Sequence, residues 1–307
     1  MSGATSTNDP SPRAAFRARA SCPLCDAPGG DAIWTGAFLD APVREWIGRY
    51  GYSGDVDGAL AGATFTLVRC PWCAFAYHRD ILTPEWLATL YSRWIDARQI
   101  ERFEASHREA AFETGRQMVK HVLRAAALLG PLGRPLRWLD FGCGDGAQVA
   151  SAALFGCDAF GIDFSATRTE RNGRRVVARD FAGFDALGVG PVDVVSAFQV
   201  LEHVDDPATL LRGLADRVRP GGLLIVEVPD ASGFDAPATW EQFQAVQPLE
   251  HINAFTPATL RTACERAGFA ALRRPPAHVT TRPLDLLRTE ASRFLARSTT
   301  NQYFRRR

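Results

Sequence analysis

Two cysteine pairs stand near the start of the chain, Cys22-Pro23-Leu24-Cys25 and Cys70-Pro71-Trp72-Cys73. Each tight pair presents two thiolates from one turn, and two such turns close a tetrahedral site around a soft divalent ion. The spacing points to structural zinc held by Cys22, Cys25, Cys70 and Cys73. Four thiolates leave no open coordination position, so the role is folding rather than catalysis. The alternative is four buried or redox-active thiols. Cys143, Cys157 and Cys264 read as small core hydrophobes.

Three further groups of residues could do chemistry. The stretch "LDFGCGDGA", residues 139–147, satisfies the loose dinucleotide fingerprint through Gly142, Gly144 and Ala147. Alone that match is weak. Asp140 precedes the loop, where a carboxylate would repel a pyrophosphate but suits a cationic ligand. Asp163, in "GIDFS", is placed to accept hydrogen bonds from ribose hydroxyls, or to cap the next helix. Two Glu-His pairs follow, Glu202-His203 in "QVLEHVDDP" and Glu250-His251 in "PLEHINAF". Histidine suits proton removal near neutral pH. His78, His107, His121 and His278 belong to no such constellation.

The elements that position these residues follow from periodicity. Residues 1–20 read as a disordered tail and 21–82 as a small, loop-rich zinc-binding module. From Pro84 to Leu129 apolar residues recur at three- and four-residue intervals, which predicts a helical linker or lid over 83–130. "GPLGRP" ends it. Beyond lie five apolar runs, "LRWLDF", "CDAFGIDF", "RRVVARDF", "PVDVVSAFQVL" and "GLLIVEVP". The amphipathic "PATLLRGLADRVRPGG" separates the last two, with Pro220-Gly221-Gly222 as its stop. Strand and helix in this rhythm predict a doubly wound, Rossmann-like α/β sheet over 131–280, whose ligands bind at the carboxyl ends of the strands. Residues 281–307 read as a helix or tail.

Taken in order, the glycine loop, Asp163, "QVLEHVDDP" and "RPGGLLIVEVP" resemble the class I S-adenosylmethionine-dependent methyltransferases over roughly residues 136 to 230. The resemblance implies that Asp140, Gly142, Gly144 and Gly146 line the methionine part of the cofactor. It implies that Asp163 takes the ribose with Phe164 beside the adenine. Asp180 would contact the adenine amino group, with Phe181 alongside, and Gln199 would lie near the methyl group. The cofactor carries a sulfonium cation and no phosphate, so its loop needs close approach rather than a phosphate clamp. The cysteine pairs followed by "AFAYHRDILTPEWLATLY" resemble the zinc-binding segment of nucleotide-sugar C-methyltransferases, which packs over the cleft and helps bind substrate. Those enzymes carry a further large carboxyl-terminal domain, and here only a short tail follows "AHVTTRPLD". The same resemblance returns Glu250-His251 to the cleft, implying His251 as general base, Glu250 orienting it or binding substrate, and His203 at the cleft edge.

Composition bounds the partners. Net charge is +1 over 307 residues, with 46% hydrophobic residues, so no global field recruits nucleic acid or an anionic membrane. No apolar run approaches the length of a membrane span. The expectation is a cytoplasmic methyltransferase of a small polar metabolite, sugar-related or from secondary metabolism. The rivals are an RNA methyltransferase with a zinc module and a catalytically silent binding module on the same fold.

Overall fold

The computed structural model describes residues 13–96, 111–165, 176–279 and 299–307, with isolated positions between these stretches. His107 lies outside the described residues. The amino-terminal part runs through β1 (Phe16–Ala18), β2 (Asp31–Ala37), α1 (Val43–Gly48), α2 (Val56–Leu60), β3 (Thr64–Arg69), β4 (Ala76–His78) and β5 (Asp80–Leu82). Residues 13–20 are therefore not a disordered tail. Phe16–Ala18 pairs antiparallel with β5, and Arg19 is buried. The expectation rested on composition, but Arg19 finds four acceptors in the fold, which offsets the cost of burying it.

The chain continues as α3 (Pro84–Thr89), which runs into a π-helical turn at Leu90–Trp94, and then as α4 (Ala111–Leu129). The main sheet is built from β6 (Arg137–Phe141), β7 (Asp158–Ile162), β8 (Val176–Ala178), β9 (Val192–Phe198) and β10 (Val218–Glu227), all parallel. Between these strands lie α5 (Ala147–Leu154), α6 (Phe181–Asp185) and α7 (Pro207–Arg217). Continuous apolar runs suit strands covered on both faces, and Val192 to Ala197 is buried throughout. After β10 come α8 (Trp240–Ala245), β11 (Asn253–Ala254), α9 (Pro257–Arg266), β12 (Phe269–Leu272) and β13 (Gln302–Arg306).

Strand order across the seven-stranded sheet is β12-β13-β10-β9-β6-β7-β8. β13 is antiparallel to both neighbours, so the sheet is mixed. Its residues were expected in a helix or tail. "QYFRR" is too short to announce a strand alone, yet Tyr303 and Phe304 are fully buried once it fills the gap between β10 and β12. Pro220-Gly221-Gly222 likewise does not follow the helix as a stop. α7 ends at Arg217, and these residues form an irregularity inside β10. A Cβ on Gly222 would lie 2.8 Å from the Asp193 carbonyl oxygen, so the bulge needs glycine there.

Asp193 fastens the amino ends of three strands. Its fully buried carboxylate accepts from Arg134 at 2.7 and 3.0 Å, from Arg219 Nε at 2.5 Å and from the Arg137 N–H at 2.8 Å. Burial alone would raise its pKa; the Arg134 hydrogen bonds and the other donors outweigh it and hold the carboxyl at about 2.

The amino-terminal part and the main sheet share their packing. β11 joins β4 to complete a four-stranded sheet ordered β11-β4-β3-β2. Cys22, Cys70, Phe75 and Tyr77 belong to one apolar cluster with Leu139, Phe255 and Leu260. A second cluster joins Phe38, Trp46 and Trp94 to Phe243 and Leu249. Among the described residues no helix is long and apolar enough to cross a membrane.

Candidate active site

The carboxyl end of β6 turns sharply into the glycine loop. Gly142, Gly144 and Gly146 have φ of +71°, +57° and +76°, a region other residues enter at a cost. Gly142 is also a close approach, because a Cβ there would lie 2.5 Å from Val200 Cγ2. The loop therefore packs directly on the segment after β9. Beneath it, the Trp138 indole N–H donates to Ser196 Oγ at 2.8 Å, and Ser196 donates to Asp140 Oδ1 at 2.5 Å. Burial pushes the Asp140 carboxyl up to about 7, with the Ser196 hydrogen bond opposing.

Asp163 is buried and holds the loop in shape. One oxygen accepts the Gly144 N–H and the other the Ser165 N–H, each at 2.9 Å. Phe164 beside it is 59% exposed, an aromatic face available to a flat ligand. Gln199 follows β9 at φ +54° and donates its N–H to the Glu227 carbonyl at 2.8 Å.

Two of the residues assigned to the adenine also serve the fold. Asp180 is the N-cap of α6, its Oδ1 taken by the Gly183 N–H at 2.7 Å, so only Oδ2 remains for a ligand. Phe181 is spoken for: its ring packs on Phe141 at 4.8 Å, Arg217 stacks over it at 3.8 Å, and it lies against Gly213. That packing holds the ring between β6 and α7.

The two Glu-His pairs form one cluster. The imidazoles of His203 and His251 meet edge to face with centroids 4.8 Å apart. His203 Nδ1 donates to the Glu250 carbonyl at 3.1 Å, and His251 Nδ1 donates to the Gln244 carbonyl. Burial lowers the His251 pKa to about 4, so the ring is neutral at pH 7. Glu250 does not orient His251. Its carboxyl accepts from Tyr52 OH, which in turn accepts from Gln247 Nε2 at 2.6 Å. Burial raises the pKa of both Glu250 and Tyr52. Glu202 is 1% exposed, and no donor among the described residues bonds either carboxylate oxygen.

Sequence reasoning missed the residues that bring these loops together. Arg19 donates to the Ile252 carbonyl at 2.6 Å and to Asn253 Oδ1 at 2.9 Å. Asn253 Nδ2 donates to the Leu201 and Val204 carbonyls at 2.8 and 2.6 Å. Tyr91, on the π-helical turn, lies 3.5 Å from His203 Nδ1 through its hydroxyl and 5.5 Å from Phe164 between ring centroids. It joins the Glu-His cluster to the edge of the glycine-loop site. No spacing in the sequence marks Tyr91 or Asn253, since both act through contacts with residues far away in the chain.

The four paired cysteines converge. Their sulfurs all lie within 4.8 Å of one another, with Cys22 to Cys73 and Cys25 to Cys70 each 3.6 Å apart. A tetrahedral ion with metal–sulfur bonds of about 2.3 Å sets sulfurs about 3.8 Å apart, so the donor set and spacing fit. His78 is a core residue, its Nε2 2.8 Å from the Val246 carbonyl, and His121 is buried 2.6 Å from Tyr303 OH.

Residues 107–273, just over half of the chain, match the family described as a methyltransferase domain. A ubiquinone biosynthesis O-methyltransferase from a Caulobacter species is 38% identical over 100 residues, 30% of this chain and 40% of that protein. One from Azorhizobium caulinodans is 34% identical over 117 residues, 36% of this chain and 46% of that protein. The matches thus span less than half the length of these relatives. The magnesium protoporphyrin IX methyltransferase of Synechocystis, solved with bound SAH, is 16% identical at a TM-score of 0.48, over 72% of this chain and 100% of that one. The chain belongs to the methyltransferase-domain family.

Proposed function

We propose that the chain methylates a small, polar acceptor in the space between the glycine loop and the segment 247–253, and that Cys22, Cys25, Cys70 and Cys73 hold one structural zinc ion. The observation that carries the reading is the bridge through Tyr91, which sets the His203–His251 pair beside the face bounded by Phe164. S-adenosylmethionine supplies a methyl group on a sulfonium sulfur. Asp163 orients the ribose hydroxyls, Phe164 covers one adenine face, and the glycine loop approaches the methionine part. Asp140, when ionised, favours the cation over the neutral product.

The chain's remaining task is to align a nucleophile on the far side of the methyl carbon and take its proton. With Nδ1 donating to the Gln244 carbonyl, His251 keeps a lone pair on Nε2 and accepts that proton. Tyr52 and Glu250 brace the same loop. Near-neutral net charge favours a small acceptor over RNA. Labelled S-adenosylmethionine incubated with separate metabolite and RNA extracts tests this: label in a small-molecule fraction is expected, and label confined to RNA would replace the reading with an RNA methyltransferase.

A further inference from the structure

We propose that Glu202, His203 and His251 bind a divalent metal ion, forming a second metal site separate from the four cysteines. The three side chains bring one carboxylate oxygen and two imidazole nitrogens within 4.8 Å of one another. They come from two loops, after β9 and before β11, which Asn253 ties together by donating to the Leu201 and Val204 carbonyls.

Two observations point to an ion rather than to chance proximity. The first is the state of the imidazoles. Each donates its Nδ1 hydrogen to a backbone carbonyl, His203 to Glu250 and His251 to Gln244. That arrangement places the lone pair on Nε2 in both rings and fixes their orientation, as the outer partners of metal-bound histidines do. The His203 Nε2 stands 3.8 Å from Glu202 Oε1. The second is Glu202 itself. It is 1% exposed, and among the described residues neither of its oxygens accepts a hydrogen bond. A buried carboxyl left so either stays protonated or takes a cation, and the two imidazole nitrogens gathered beside it supply the further ligands that a cation needs.

Ligand bonds of about 2.1 Å place donors about 3.0–3.4 Å apart around an ion. Binding therefore draws the three groups together by side-chain rotation of about an ångström. Two nitrogens and one oxygen suit a borderline ion of the iron, cobalt or zinc type. Three protein ligands leave further coordination positions open to water. The ion would occupy the same His251 Nε2 lone pair that the proposed function uses for the acceptor's proton, so the metal-bound and base-competent states exclude one another, and this consequence for turnover rests on the proposed function. The ion's presence does not.

Co2+ added to zinc-loaded protein without S-adenosylmethionine tests the site, read by visible absorption and calorimetry. One Co2+ per chain is expected, without a thiolate charge-transfer band. Glu202→Gln and His251→Ala are each expected to weaken it roughly 10–100-fold or more, while S-adenosylhomocysteine binding by Glu202→Gln reports that the fold is intact. No Co2+ binding at millimolar concentration, binding only with a thiolate band, or equal binding by both variants would overturn the proposal. Cobalt binding by a protein that labels no small molecule would sink the methyl-acceptor reading and leave the metal site standing.

Discussion

Val200 presses its Cγ2 against Gly142, so that a single methyl group added at the glycine would sit 2.5 Å from it. This contact joins the glycine loop, proposed to receive the cofactor, to the segment that carries Glu202 and His203. Gly142→Ala should therefore fail twice, through its φ of +71° and through the collision. Calorimetry with S-adenosylhomocysteine should show weakened binding. Val200→Ala in the same chain should restore part of it, because the two residues are in direct contact. No restoration would place the whole cost in the backbone.

Asp163→Ala should weaken cofactor binding by roughly 2–3 kcal/mol if the carboxylate accepts charge-assisted bonds from the ribose. Part of that loss comes from the loop, since Asp163 also holds the Gly144 and Ser165 N–H groups. Asp163→Asn keeps one acceptor and should fall between the two. Binding unchanged in Asp163→Ala would remove the residue from the site.

Asp140 gives the cofactor a pH dependence with a definite sign. Its carboxyl is raised to about 7 by burial, and the sulfonium prefers the ionised form. Affinity for S-adenosylmethionine should fall as pH drops below about 7, by up to roughly tenfold per unit, while the uncharged S-adenosylhomocysteine changes less. Asp140→Asn should abolish the difference. The same raised pKa means that Asp140 costs the ligand-free fold stability as pH rises from its unfolded value toward 7, so Asp140→Asn should melt higher at neutral pH.

Cys22→Ser should release zinc, measured by metal analysis. Separate cores would confine the damage to the amino-terminal part. The shared cluster of Cys22, Cys70, Phe255 and Leu260 predicts otherwise. Structural zinc contributes about 10–16 kcal/mol to small sites, comparable to the roughly 5–15 kcal/mol that stabilises a domain. Cofactor binding and the melting transition should fail together. A variant that binds S-adenosylhomocysteine normally without zinc would contradict this.

The parallel strands, the glycine loop and the convergence of the four cysteines were legible because each has a local signature: a long apolar run, positive-φ glycines, thiols in tight pairs. β13 was not, since five residues gain their meaning only from the gap they fill. The packing of Phe181 was not legible, because its position after β8 says where the backbone runs, not where the ring points; Arg217 and Phe141 decide that. The union of both Glu-His pairs was also hidden. It depends on Asn253 and Arg19, whose hydrogen bonds bridge segments far apart in the chain.

The central claim is that His251 takes the proton of the methyl acceptor, and His251→Ala tests it most directly. Transfer of labelled methyl into the small-molecule fraction should be compared with wild type, alongside S-adenosylhomocysteine calorimetry. Turnover is expected to fall by roughly 10²–10⁴ with cofactor affinity nearly unchanged. Wild-type turnover in His251→Ala, with collapse only in His203→Ala, would contradict the account and move the proton acceptor to the other ring.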